Sequence, residues 1–349
     1  MATFKPFTEN RKLRIVQVGC GGMAQGWVER TQKRPDAEIV GLVDIRRQAA
    51  AETAARHKLP ASVVYDTLKD ALAKAQPDAI TDITVPEAHY GVTTTALKAG
   101  CHVLGEKPLA DSMAHAKAMC NAAKKAKRLY MVTQNRRYMG TIQAFSKAVK
   151  DGVIGQLSSV DADFFIGAHF GGFRDVMDNV LLLDMAIHTF DQARFISGCD
   201  PVAVYCHEYN PHGSWYKGNA AAICVFEMTN KVVFTYRGSW CSEGYNTSWE
   251  SNWRAVGSKG TVVWDGAAQP KCQRPAGTEG FFRKLEDVPL PEIKVEHGGH
   301  EGVLQEFLTC VRAGTTPQTV CDNNIKSLAM CFAAIESAKT KKRVKVKSR

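Results

Sequence analysis

No run of about 18 uninterrupted apolar residues occurs anywhere in the 349-residue chain, which excludes a membrane-spanning helix. The opening stretch MATFKPFTENRKLR has no apolar core of the kind a secretory leader carries. Eleven cysteines are present, but no C-x-x-C pair and no zinc-type spacing, so neither a metal centre nor a disulfide framework is expected. A reducing, cytoplasmic compartment fits that usage best. Acidic residues are the scarcer sign, 35 against 45 basic. Much of the excess sits in the terminal KTKKRVKVKSR, and no nucleic-acid reading element accompanies it. That tail reads as a solvated helix end running into a last strand. Internal repeats and low-complexity linkers are missing too. What remains is ordinary globular composition, 45% hydrophobic and 23% charged, at a length that predicts two domains.

The first third alternates between short β-branched runs and helix-forming stretches. LRIVQVG (13–19), AEIVGLVD (37–44), SVVYD, DAITDITV (78–85), HVLGEK (102–107) and LYMVTQN (129–135) read as strands with helices between them. Alternation at this spacing predicts an α/β doubly wound parallel sheet. Beyond residue 150, strands follow one another across tight turns such as TNK and GSKG, which predicts an α+β domain with a mixed, largely antiparallel sheet. Two amphipathic helices close the chain. The predicted division is 1–130 for a dinucleotide-binding Rossmann domain and 131–349 for a substrate-binding and oligomerisation domain.

VQVGCGGMA puts Gly19, Gly21 and Ala24 in a G-x-G-x-x-A arrangement directly after the first strand. The first glycine permits the turn, the second lets backbone approach a pyrophosphate, and the small alanine packs helix on strand. Asp44 ends the second strand 20 residues after Ala24, where an acid can bind the adenosine ribose. An acid there repels a 2′-phosphate and favours NAD. Arg46 and Arg47 alongside leave NADP possible.

VLLLDMAIHTFDQARFI (180–196) carries Asp184, His188 and Asp191 at i, i+4 and i+7 among apolar residues. A continuous helix would put all three on one side. Alone, the pattern is an ordinary core histidine. VLGEKPLA adds Glu106, Lys107 and Pro108 at the C-terminal end of the fifth strand, the edge where open parallel sheets bind ligands. With both elements present, the chain resembles the Gfo/Idh/MocA oxidoreductases, the family of glucose–fructose oxidoreductase and inositol dehydrogenase. The resemblance spans nearly the whole length, through VGCGGMA, the Pro86 to His89 step in TVPEAHY, AGCHVLGEKPLA, QNRRY and LDMAIHTFD. It departs from the pattern at Met185–Ala186, where relatives often carry a glycine, and at Glu87.

The resemblance implies that Lys107, Asp184 and His188 surround a reacting hydroxyl, with Asp191 as support. It implies cofactor contacts from Gly19, Gly21, Gly22, Met23, Ala24, Asp44, Arg46, Pro86, His89, Glu106 and Lys107. An NAD(P)-dependent dehydrogenase acting on a secondary hydroxyl of a sugar, glycoside or cyclic polyol follows. Two other readings stay open within the family: an NAD-dependent glycoside hydrolase and a non-catalytic dinucleotide sensor. Either His188 or Lys107 can serve as the base. Beside Lys107, Asp184 and His188, the polar residues Asn135, Arg137, Tyr138, Asp163 and His169 are candidates for substrate hydroxyls. Five of the six tryptophans fall in the second domain, and one or two of them are expected to meet a ligand. A one-sided, aromatic-rich sheet there predicts a homodimer or homotetramer.

Overall fold

The computed structural model describes residues 4–348. The chain divides into two compact units: residues up to Gln134 with His300–Ile325, and Asn135–Gly299 with the residues from Lys326 onward. The sequence-based cut near 130 lies close to the first crossing. The return of 300–325 is a feature that local patterns do not carry. It is fastened by long-range bonds: Phe7 donates to the Val311 carbonyl, Val132 to that of Thr319, and Arg312 to those of Arg11 and Asp36.

In the first unit, β1 (Leu13–Val18), α1 (Gly22–Gln32), β2 (Ala37–Val43), α2 (Arg47–Arg56), β3 (Val64–Tyr65), α3 (Leu68–Ala75), β4 (Ala79–Asp82), α4 (Pro86–Lys98), β5 (His102–Gly105), α5 (Met113–Ala126) and β6 (Tyr130–Val132) follow in chain order. The strands form one sheet in the order β3-β2-β1-β4-β5-β6, and all of its pairs are parallel. Order reverses at β1/β4, the switch point where such sheets open a crevice at their carboxyl edge. Strands buried on both faces explain the unbroken apolar runs, as in β4 and β5, where all four residues of each are buried. Thr67 and Ser112 cap α3 and α5, each accepting the N–H three residues on. α1 has no side-chain cap, and its free N–H groups fall at the glycine loop.

The second unit opens with a 3-10 turn, Asn135–Tyr138, and α6 (Gly140–Lys150), then β7 (Leu157–Phe165). α7 (Ala186–Ser197) follows, then β8 (Pro201–Tyr209), β9 (Ala221–Met228), β10 (Val233–Ser239), β11 (Asn252–Gly257), β12 (Gly260–Trp264), β13 (Lys271–Pro275), β14 (Leu285–Val288) and β15 (Val344–Lys345). These strands make a nine-stranded sheet, β14-β13-β12-β11-β7-β10-β9-β8-β15, antiparallel except for β7 with β10. One face is packed: Phe190 of α7 lies edge-on to Phe226 and Tyr236, and Phe145 of α6 to Trp264. Removing the Phe190 ring would cost about 3–5 kcal/mol on that basis. The other face leaves Tyr205, Ile223, Val225 and Val233 substantially exposed. β13 and β14 are strands that the sequence did not announce. Their residues are mostly polar and exposed, so no period-2 alternation marks them.

Candidate active site

In the first unit, β1 delivers the chain to Gly19 at φ +93°, where an added Cβ would stand 2.4 Å from the Ile83 carbonyl oxygen. Only glycine fits. At Gly21 and Gly22 an added Cβ would meet nothing within 4 Å, so the backbone there is open, directly before the uncapped start of α1. Asp44 accepts the backbone N–H of Cys20 through Oδ2 and that of Arg46 through Oδ1, both at 2.8 Å, and stays partly exposed. The carboxylate is therefore fixed beside the glycine loop. Burial, with Asp44 adding to it, pushes the Cys20 thiol up to about 12, so the loop carries no thiolate to repel a phosphate. An open glycine cradle, a free helix N-terminus and an aimed carboxylate fit a dinucleotide. Arg47 is engaged with Asp66 at 2.6 Å, whereas the Arg46 side chain has no bonding partner among the described residues. Met23 is 59% exposed beside the loop, and Ala24 is buried, as close helix–strand packing requires.

The α4 entry is internally braced. Pro86 takes the first helical position, and His89 is buried with Nδ1 at 3.1 Å from Asp82 Oδ2. Asp82 also accepts from the hydroxyls of Thr84 and Thr93. Glu106, expected near the cofactor, is bonded within the unit through both oxygens. Its Oε1 accepts from Trp27 Nε1 at 2.9 Å and its Oε2 from the Lys107 backbone N–H at 3.1 Å. Those bonds orient the segment carrying Lys107, whose peptide to Pro108 is cis. His300 stands edge-on to Trp27 at 5.6 Å, and burial holds its imidazole below the ordinary value against the pull of Glu106. It was missed in the sequence because its neighbours in space lie far away along the chain.

In the second unit the helix of the sequence reading is not uniform. Leu181–Met185 forms a π turn that runs into α7, so Asp184 sits on the wider turn and His188 in the first α turn. The simple i, i+4, i+7 projection is corrected accordingly. π turns of this kind concentrate at functional sites, where they re-aim a side chain. Asp184 and His188 are both buried, and Oδ2 of Asp184 accepts from Arg174 Nε at 2.5 Å. Arg174 was not singled out in the sequence, where nothing in GGFRDV marks it as a partner of Asp184.

Asp191 accepts two bonds from Arg137 at 2.6 Å and one from Ser327 at 2.7 Å, deep in the unit. Arg137, a candidate for substrate hydroxyls, is thus committed to a buried bidentate pair. Tyr138 beside it is buried, and Asn135, at the head of the same 3-10 turn, is half-buried. Asp163 is placed apart from α7. Its neighbours Ala162 and Phe164 turn inward, while Asp163 lies on the opposite sheet face with Arg237 at 2.5 Å. There it lines an open depression of about 670 Å³ with Asp161, Arg254 and Lys271. His169 is exposed, stacked on Trp215 with ring centroids 3.7 Å apart and bonded to Glu243. Among the tryptophans of this unit, Trp240, Trp253 and Trp264 are core residues, while Trp249 is 47% exposed. No cluster able to hold a metal ion and no helix long and apolar enough to cross a membrane occurs among the described residues.

Comparison with known proteins agrees with both units. The pattern of the oxidoreductase family with an NAD-binding Rossmann fold matches residues 13–134, and that of the GFO/IDH/MocA C-terminal domain matches residues 142–263. The chain belongs to the Gfo/Idh/MocA oxidoreductase family. Within it, D-apiose dehydrogenase from Paraburkholderia graminis is 25% identical over 98% of this chain and 92% of that protein. Myo-inositol 2-dehydrogenase from Thermotoga maritima is 23% identical over 96% and 98%. Among solved Gfo/Idh/MocA-like folds, an oxidoreductase from Agrobacterium radiobacter in complex with NAD+, L-tartaric acid and magnesium superimposes with a TM-score of 0.85 at 20% identity, covering 96% of this chain and 98% of that one. The protein is an NAD-binding oxidoreductase of a family acting on sugars or polyols.

Proposed function

We propose that this protein is a dehydrogenase that oxidises a secondary hydroxyl of a sugar, glycoside or cyclic polyol, using NAD in preference to NADP. The observation that carries the reading is the buried Asp184 and His188 at the π-to-α junction, in a chain whose other unit is an NAD-binding Rossmann domain. D-Apiose dehydrogenase and myo-inositol 2-dehydrogenase among the relatives support the substrate class.

Bound NAD supplies the hydride acceptor; everything else falls to side chains. His188 takes the hydroxyl proton, because imidazole is matched to proton uptake near neutrality. Asp184 orients it and favours the imidazolium. Lys107 donates to the substrate oxygen and stabilises developing alkoxide. Glu106 holds the Lys107 backbone N–H, and Trp27 holds Glu106. Gly19, Gly21 and Gly22 take the pyrophosphate and Asp44 the ribose, which supports NAD because a 2′-phosphate would meet that carboxylate.

The exposed face of the nine-stranded sheet, with Tyr205, Ile223, Val225 and Val233, supports self-association through that face.

The test of activity is absorbance of reduced nicotinamide when the purified protein is mixed with NAD and a panel of inositols, pentoses, hexoses, uronates and glycosides. Reduction with at least one member is expected. If the protein binds NAD yet reduces none with any member, the dehydrogenase reading fails, and release of free sugar or aglycone then separates a hydrolase from a sensor.

A further inference from the structure

Arg174 stands in the 3-10 turn Gly172–Val176, ahead of the π turn that carries Asp184. Gly171 and Gly172, at φ +68° and +73°, shape the approach. Its guanidinium is held on three sides. Nε donates to Asp184, and the rings of Phe170 and Phe173 lie 5.0 and 4.7 Å from its central carbon. Each of these rings is just over half exposed, and Trp249 lies beside Phe170 at 6.1 Å. The terminal nitrogens Nη1 and Nη2 have no hydrogen-bond partner among the described residues, and the side chain keeps 27% of its exposure. A planar fork fixed at its base and flanks, with its two ends open, matches a carboxylate bidentately.

We propose that Arg174 is a specificity-determining residue that selects acidic sugars, a uronate, aldonate or related polyhydroxy acid, over their neutral counterparts. The proposal rests on the dehydrogenase reading for the reaction whose substrate Arg174 selects.

The experiment compares kcat/KM for pairs differing in one carboxylate: D-glucuronate with D-glucose, D-galacturonate with D-galactose, D-gluconate with D-glucitol. It is run on the unmodified protein, R174Q and R174K, with calorimetric titration of each compound into the NAD-loaded protein. The acid of at least one pair is expected to be preferred, and R174Q to lower that acid-to-neutral ratio about tenfold to a hundredfold, the range for bonds to a charged group. R174K keeps the charge without the fork and should fall between. An acid that binds through Arg174 without being oxidised supports this proposal and contradicts the dehydrogenase reading. No acid preferred in any pair, or a ratio unmoved by R174Q, overturns it.

Discussion

On the proposed reading, chemistry depends most on Asp44 and His188, and each answers to its own measurement. Asp44 is held by two backbone N–H groups beside the glycine loop, so its carboxylate is already aimed before a cofactor arrives. Asp44→Ala removes the repulsion of a 2′-phosphate, and titration calorimetry should show the preference for NAD over NADP narrowing. Tighter binding of NADP by the unmodified protein would contradict the assignment. For His188→Ala, kcat should fall by about a hundredfold or more, the share general-base catalysis commonly supplies, while NAD affinity and melting temperature change little. A folded variant with near-normal turnover would make His188 a core residue. At this scale the glycine loop was legible because strand, turn, helix and acid lie within one short βαβ segment. Arg137 was not: a polar residue's partner decides whether it binds substrate or braces the fold, and Asp191 lies 54 residues away.

The segment leading to Asp184 braces a buried titrating carboxyl. Glu208, near the end of β8, is buried, with Oε2 accepting from Asn179 at 2.6 Å and from Asn219 at 3.4 Å and Oε1 lacking a partner among the described residues. Burial pushes its carboxyl up to about 7 against the pull of those amides. A carboxyl with a raised value binds its proton more tightly folded than unfolded. Its contribution to stability is therefore present below about 4.5 and lost as pH rises through about 7. Melting temperature measured across that window should fall more for the unmodified protein than for Glu208→Gln, which keeps the amide-binding shape without the titration. Parallel curves would contradict the shift. The π turn illustrates what the sequence hides at this scale. Both an α-helix and a π turn place apolar side chains inward, and VLLLDMAIH reads identically for either.

Taken whole, the two fold classes were readable in the rhythm of strands, since a parallel sheet and a meander leave different spacings. The way the chain returns was not, because residues 300–325 join the first unit through carbonyl contacts that no local pattern encodes. The open sheet face belongs to this scale too. Light scattering at micromolar concentration should give a multiple of the 38.3 kDa chain mass, and Val225→Asp, placing a charge on that face, should shift it toward the single chain. A monomer in the unmodified protein would rule out the sheet interface. The central claim, that the molecule is a dehydrogenase, is tested most directly by stoichiometry: moles of reduced nicotinamide formed per mole of sugar or polyol consumed. A net dehydrogenase gives one for one, with a ketone product. Free sugar or aglycone released with no net reduced nicotinamide would contradict it and make the protein a hydrolase.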